Sequence, residues 1–296
     1  MSCLARPLLT LMLCLISLAA LAGETYTLHI GSRDRSYLVY RPPGLAQDQA
    51  APLVVVLHGR LGSARQAERT LHWDREADAY GFIVAYPESL GNSWNAGGAC
   101  CGPALRNHID DSGFITAIIE TLIHTQHVDP HRVYVSGFSN GAAMAWRYAC
   151  DSPFPLAAIG SVSGELTDLC ANPAPVSVME IHGLADQNIP MDGGEGPKAL
   201  SHIIWKPVRQ GIERFRVLDQ CAAPTDTRNG TVVTDSAACA DDMQVVLITI
   251  DGAGHQWPGA TPLGGLTARL FRPDPPSHAL DATDTLWHFF RDKRSP

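Results

Sequence analysis

The sequence is short of positive charge, of metal-type cysteine spacing and of long apolar runs. Its 22 Lys and Arg face 30 Asp and Glu, a net charge of −8. An acidic surface repels polyanions, which argues against nucleic acid as a partner and weighs against acidic polymers as substrates. Eight cysteines are present, yet no two form a Cys-x-x-Cys pair, so zinc sites of that spacing are excluded. His124 and His127 are two imidazoles with no third ligand and read as a solvated helix face; no metal and no cofactor is expected. No internal repeat appears. With 296 residues, 45% hydrophobic and 18% charged, the chain supports one large core and does not demand two.

The first segment has the marks of an export signal. Arg6 is a minimal positive region, Leu8 to Ala19 is apolar but short for a membrane span, and Ala20-Leu21-Ala22 fits the small-x-small cleavage rule. A lipoprotein reading needs a small residue before Cys14, and Leu13 stands there. Residues 1–22 are therefore expected to be a signal peptide cut after Ala22, with Gly23 as the neighbouring alternative, and residues 23–296 a single catalytic domain. The product would be extracellular or periplasmic, with no membrane association after cleavage. Cutting there removes one Arg and no acid, which takes the charge to −9. Six cysteines remain, an even number that implies disulfides in an oxidising compartment. Cys221–Cys239 is the expected bridge, closing a polar loop. Cys100, Cys101, Cys150 and Cys170 allow three pairings, one of which joins the adjacent pair.

Strand and helix signals alternate along the rest. Tyr26–Ile30 and Arg35–Tyr40 read as an edge hairpin, and Leu53–Leu57 as a strand buried on both faces. Trp73–Tyr80 is a helix, Phe82–Tyr86 a strand, and Ser89–Pro103 a loop carrying Trp94. Asp110-Asp111 caps a helix running through Phe114, Ile118 and Leu122, and capping is preferred to a catalytic role for either acid. Further strands are expected at Ala157–Val162, Val176–Ile181 and Met243–Ile250. Helices are expected around Val208–Leu218, within an insertion carrying Trp205, and at Asp281–Arg291. Gly259–Pro276 is irregular, and Asn229-Gly230-Thr231 is a glycosylation sequon. This alternation predicts an α/β fold, a mostly parallel central sheet flanked by helices.

The chemistry centres on Val133–Met144. A β-branched run meets Gly137-Phe138-Ser139-Asn140-Gly141 and then a small-residue helix, which is the strand–turn–helix setting of a nucleophile elbow. Gly-x-Ser-x-Gly also arises by chance in a chain with 26 glycines, so its partners matter. Asp186 follows a strand in His182-Gly183-Leu184-Ala185-Asp186, with Asp192 as the nearest rival. His255 follows the last strand on a Gly-rich loop. The order Ser139, Asp186, His255 is that of α/β-hydrolases. A serine hydroxyl is a weak nucleophile, so His255 must take its proton while Asp186 fixes the imidazole tautomer. Two backbone N–H groups must hold the oxyanion. Asn140 supplies one, and Arg60, in the His58-Gly59-Arg60-Leu61-Gly62 loop, is expected to supply the other, with Leu61 as the alternative. His58 reads as a packed histidine shaping that loop.

These motifs, with Gly81–Pro87, Trp94-Asn95-Ala96-Gly97, Cys100-Cys101-Gly102-Pro103 and Gly254-His255-Gln256-Trp257-Pro258-Gly259, resemble the secreted polyhydroxybutyrate depolymerase-like esterases, related to feruloyl and acetylxylan esterases. The likeness runs from about Arg35 to Phe290. It implies an α/β-hydrolase fold, Ser139, Asp186 and His255 as the triad, and Trp94 and Trp257 flanking the acyl site. Arg60-Leu61 departs from the small or Cys residue common at that place. No linker and substrate-binding domain is expected after the catalytic domain. Together with the Trp205 insertion walling the cleft, that leads to an expected preference for soluble aryl esters and oligomers over crystalline polyester. The expected partner is a small or oligomeric ester. Two other readings stay open: an amide hydrolase or peptidase with the same triad, and a non-catalytic binding module.

Overall fold

The computed structural model describes residues 22–98, 100–168, 170, 173–200, 202–264 and 273–295. All but Ala22 of the expected signal segment lies outside them. Among the described residues no helix is long and apolar enough to cross a membrane.

Ten strands form one sheet. In chain order they are β1 (Glu24–Ile30), β2 (Arg33–Tyr40), β3 (Ala51–Leu57), β4 (Ile83–Pro87), β5 (Val128–Phe138), β6 (Ala158–Val162), β7 (Ser177–Gly183), β10 (Thr225–Asn229), β11 (Val232–Ala238) and β12 (Gln244–Ile250). Their spatial order is β1-β2-β4-β3-β5-β6-β7-β12-β11-β10; β8 (Gly194–Glu195) and β9 (Ile204–Trp205) pair separately. The central six strands run parallel, and an antiparallel hairpin closes each edge. This is the mostly parallel α/β sheet expected from the alternation of strands and helices.

Side-chain alternation divides the core. On β3, Leu53, Val55 and Leu57 enter one apolar cluster while Val54 and Val56 enter the other. Helices α4 (Asp111–Gln126), α5 (Asn140–Asp151) and α6 (Val208–Leu218) cover the first face. Helices α1 (Ala64–Thr70) and α2 (Trp73–Tyr80) and the closing helix, α7 (Ala282–Phe290), cover the second. The one-turn helix α3 (Gly102–Arg106) follows the adjacent cysteines. Asp110 caps α4, accepting from the Gly113 N–H at 2.8 Å, and Asp111 is buried against Arg35 at 2.7 Å. Both acids thus have structural tasks.

A hairpin and a helix are among the departures from expectation. The stretch between Cys221 and Cys239 is not a loop but the β10–β11 hairpin, turning at Gly230-Thr231. Every residue of β10 is exposed, so no buried alternation marked it. The short helix α1 was hidden for lack of a long apolar stripe, although Ser63 caps it through the Gln66 N–H at 3.1 Å. The disulfides are Cys100–Cys101, Cys150–Cys170 and Cys221–Cys239.

Parallel registry aligns the carboxyl ends of the central strands. Leu57 pairs with Gly137, and Ile250 with Gly183. The loops after β3, β5, β7 and β12 therefore open at the same end of the sheet, where ligands bind in open α/β sheets.

Candidate active site

Ser139 sits between β5 and α5 with φ 57° and ψ −119°, a conformation that a non-glycine residue adopts only when its surroundings impose it. Two glycines leave room for the turn that holds it. A Cβ on Gly137 would lie 2.3 Å from the Gly141 carbonyl oxygen, and one on Gly141 would lie 2.3 Å from that of Leu57. The tight turn projects the serine hydroxyl into the opening above the sheet.

The three residues anticipated for catalysis meet there. His255 Nε2 lies 2.8 Å from Ser139 Oγ, and its Nδ1 lies 2.7 Å from Asp186 Oδ2. The other Asp186 oxygen accepts the N–H groups of Asn188 at 2.8 Å and Ile189 at 2.9 Å. Burial opposes ionisation of Asp186, but the His255 bond, the charges of His255 and His182 and the Ile189 N–H outweigh it. Its carboxyl lies below the ordinary range. Asp192 is exposed. With Asp186 ionised, Nδ1–H donates to it and Nε2 presents a lone pair to the serine hydroxyl.

The loop after β3 supplies the facing wall. The Leu61 N–H donates to the Asn92 carbonyl at 2.8 Å, so it is turned away from the role of an oxyanion donor. His58 is buried: Ser89 N–H donates to its Nε2 at 3.2 Å, so Nδ1–H donates to the Gly59 carbonyl at 2.8 Å. It shapes the loop, as expected.

The two tryptophans part company. Trp94 is wholly buried; its Nε1–H donates to the His58 carbonyl at 2.7 Å, and its backbone exchanges hydrogen bonds with the Asn140 side chain. It lines neither cavity beside His255, so the expected role as an acyl-flanking ring is corrected to a support behind the oxyanion loop. Trp257 does line one of those cavities, although it is only 3% exposed and its Nε1–H donates to Thr283 Oγ1 at 3.0 Å.

Two cavities meet at His255 and Phe138. One, of about 210 Å³, is bounded by Arg60, Leu61, Lys198 and Leu200; the other, of about 250 Å³, by Trp257, Leu71 and Pro275. A smaller recess of about 50 Å³ lies between Arg60, Asn140, Cys101 and Trp205, which places the insertion along the cleft.

Other site residues escaped the sequence reading. Asp274 accepts the His255 backbone N–H at 2.9 Å and pairs with Lys198 at 3.1 Å. It lies in a Pro-rich stretch that gave no periodic signal. Gln66, from α1, lines both large cavities, and Ser63 followed by Gln66 three residues on is a capping-box signature. Beneath Asp186, buried His182 bonds Glu180 through Nδ1 at 2.9 Å and the Ile189 carbonyl through Nε2 at 2.8 Å. The Asn140 amide also reaches both sulfurs of Cys100–Cys101 at 3.4 Å, tying that bridge to the elbow.

Residues 35–190 match the family described as esterase PHB depolymerase. The chain belongs to this family. It is thus a carboxylic ester hydrolase of the α/β-hydrolase type. The esterase is 34% identical over 254 residues to the proposed esterase NocK of Nocardia uniformis subsp. tsuyamanensis, covering 78% of this chain and 73% of that one. Against feruloyl esterase B of Piromyces equi it is 28% identical over 238 residues, 75% of this chain but only 42% of the relative. It therefore spans less than half of that enzyme. Among solved structures, the acetyl xylan esterase from Aspergillus awamori superposes with a TM-score of 0.58 at 20% identity, over 84% of this chain and 99% of that one. An S-formylglutathione hydrolase from Agrobacterium tumefaciens gives 0.51 at 14% identity, over 78% and 87%. These likenesses show the fold.

Proposed function

We propose that the protein is a secreted serine esterase that works through an acyl-enzyme on hydroxyalkanoate oligomers or feruloyl-type aryl esters. The carrying observation is the continuous hydrogen-bonded line from Asp186 through His255 to Ser139, at 2.7 and 2.8 Å. In this reading His255 Nε2 takes the hydroxyl proton as Ser139 Oγ attacks the ester carbonyl. The backbone N–H groups of Asn140 and Arg60 hold the oxyanion, and Asp186 stabilises the imidazolium. His255 then returns the proton to the departing alkoxide oxygen. Water, activated by the same imidazole, releases the acid. The three disulfides and the apolar leader support export.

The cleft bears on substrate choice. Arg60 and Lys198 line the same cavity, with Asp274 as the facing acid, in a chain whose net charge is −8. A hydroxyalkanoate oligomer carries a terminal carboxylate that this side favours, whereas Trp257 and Phe138 offer flat surfaces to an aryl group. The test is a fluorophosphonate label combined with a panel of p-nitrophenyl esters, methyl ferulate, hydroxybutyrate oligomers and matched anilides. One label per chain, lost in Ser139→Ala with the fold intact, and ester turnover far above anilide turnover are expected. Labelling that persists in Ser139→Ala overturns the mechanism.

A further inference from the structure

The amino end of the folded domain is anchored in an unusual way. Gly23 is buried although Ala22 before it and Glu24 after it are exposed. The Gly23 nitrogen lies 2.5 Å from Oε1 of Glu68 on α1, a side chain only 4% exposed. The other Glu68 oxygen takes Arg65 Nη1 at 2.7 Å, and both Arg65 Nη atoms reach back to the Gly23 carbonyl at 3.4 Å. The fit is close: a Cβ would stand 2.8 Å from Glu68 Oε1 and 3.1 Å from the Val39 carbonyl oxygen. Strand β1 begins at the next residue, with Glu24 opposite Val39, so this nitrogen has no slack.

We propose that the Ala22–Gly23 bond is the one hydrolysed on export, and that the α-ammonium so formed on Gly23 is captured by Glu68 as a buried ion pair. The proposal rests on the export reading above. A leader peptidase adds one water across the bond, leaving a carboxylate on Ala22 and an ammonium on Gly23. Charge balance favours the capture. The groups around Glu68 are Asp74 and Asp78 on α2 and Arg65 on α1, with the Tyr40 and Tyr86 hydroxyls bonded to Asp78 and Asp74. Three carboxyls thus gather here, and Arg65 pairs with Glu68 and acts on Asp74. In the unprocessed chain burial, with Glu68 and Asp78 nearby, lifts Asp74 to about 7. An ammonium at Gly23 supplies the missing positive charge, where an amide N–H supplies only a dipole. Docking also pins α1, the helix that brings Gln66 into the cleft.

The full chain is exported from a bacterial host and its mature mass measured. Melting is then followed from pH 6 to 10 for that enzyme, for Glu68→Gln, and for a chain processed to leave one extra residue before Gly23. A mass beginning at Gly23 is expected. The partnered ammonium has a folded pKa above its ordinary ~7.7–8.0, so its contribution is complete below that range and disappears as pH rises through the folded value. At pH 6.5 the mature enzyme should melt about 4 °C above the extended chain, a gap that closes by pH 10. Glu68→Gln should lose the alkaline step; its lost Arg65 contact does not titrate in this range. A start at another residue overturns the assigned bond alone, and an unprocessed chain overturns the export reading with it. A Gly23 start with identical alkaline profiles in all three proteins overturns the capture alone.

Discussion

Trp94 illustrates how a residue can serve a site without touching its substrate. Its indole N–H satisfies the His58 carbonyl, and its backbone is clamped by Asn140, the residue after the nucleophile. Trp94→Phe keeps the apolar ring and leaves a buried carbonyl unpaired, at a cost of about 1–3 kcal/mol. Urea unfolding should show that loss, while KM for p-nitrophenyl acetate stays within twofold. A raised KM with undiminished stability would return the ring to the acyl wall. Trp257 needs a gentler probe than truncation, because an indole 3% exposed costs about 3–5 kcal/mol when cut to Ala. For the acid, Asp186→Asn should lower kcat by about 10⁴, the figure known for the serine protease triad, since an amide no longer selects the tautomer with a proton on Nδ1. Asp192→Asn should change it less than twofold. The reverse ranking in steady-state kinetics would reassign the acid.

At the scale of elements, the β10–β11 hairpin is held by Cys221–Cys239 at the sheet edge, away from the cleft cavities. Closing a loop with a sequence separation of 18 stabilises by about 3 kcal/mol in the chain-entropy view. The Cys221→Ala, Cys239→Ala double variant should lose about that much in urea titration yet keep its kcat. A collapse of activity at full folding would tie this edge to the site. What could be read from the sequence followed burial. Strands β3 and β12, and the Val133–Val135 part of β5, carry near-continuous apolar runs because both faces are covered, and the loops after β3, β5, β7 and β12 carry Arg60, Ser139, Asp186 and His255. Exposed β10 and seven-residue α1 lacked that signal. Trp94 was misplaced for a different reason. A loop beside glycines suggests exposure, but only the third dimension shows that Asn140 and His58 close over it.

For the whole molecule, burial of acids sets the pH dependence of stability. Burial above all lifts Asp74 to about 7, Glu165 to about 8 and Asp219 to about 7, against ordinary values near 3.9 for Asp and 4.3 for Glu. The folded state therefore keeps protons that the unfolded chain has already released. Stability from these groups is greatest at or below their unfolded values and declines as pH climbs through the folded ones, a window from about 4 to about 8. Asp129 and Asp186 work in the opposite sense. Burial opposes their ionisation, but Arg132 and His131 for the first, and His255 for the second, hold them below the ordinary range. Their contribution fails only as pH falls below about 4. Between pH 5.5 and 9 the raised acids all act in one sense, so they make the melting midpoint higher at pH 5.5. Glu165, 2% exposed, is the sharpest probe. Glu165→Gln removes its proton-linked loss, so its advantage over the parent should widen by about 5 °C between pH 5.5 and pH 9. Run in the Glu68→Gln background, the comparison is free of any contribution from the Gly23 amine. Calorimetry giving parallel curves for the parent and the Glu165→Gln variant across this range would show that the carboxyl is ionised in the fold.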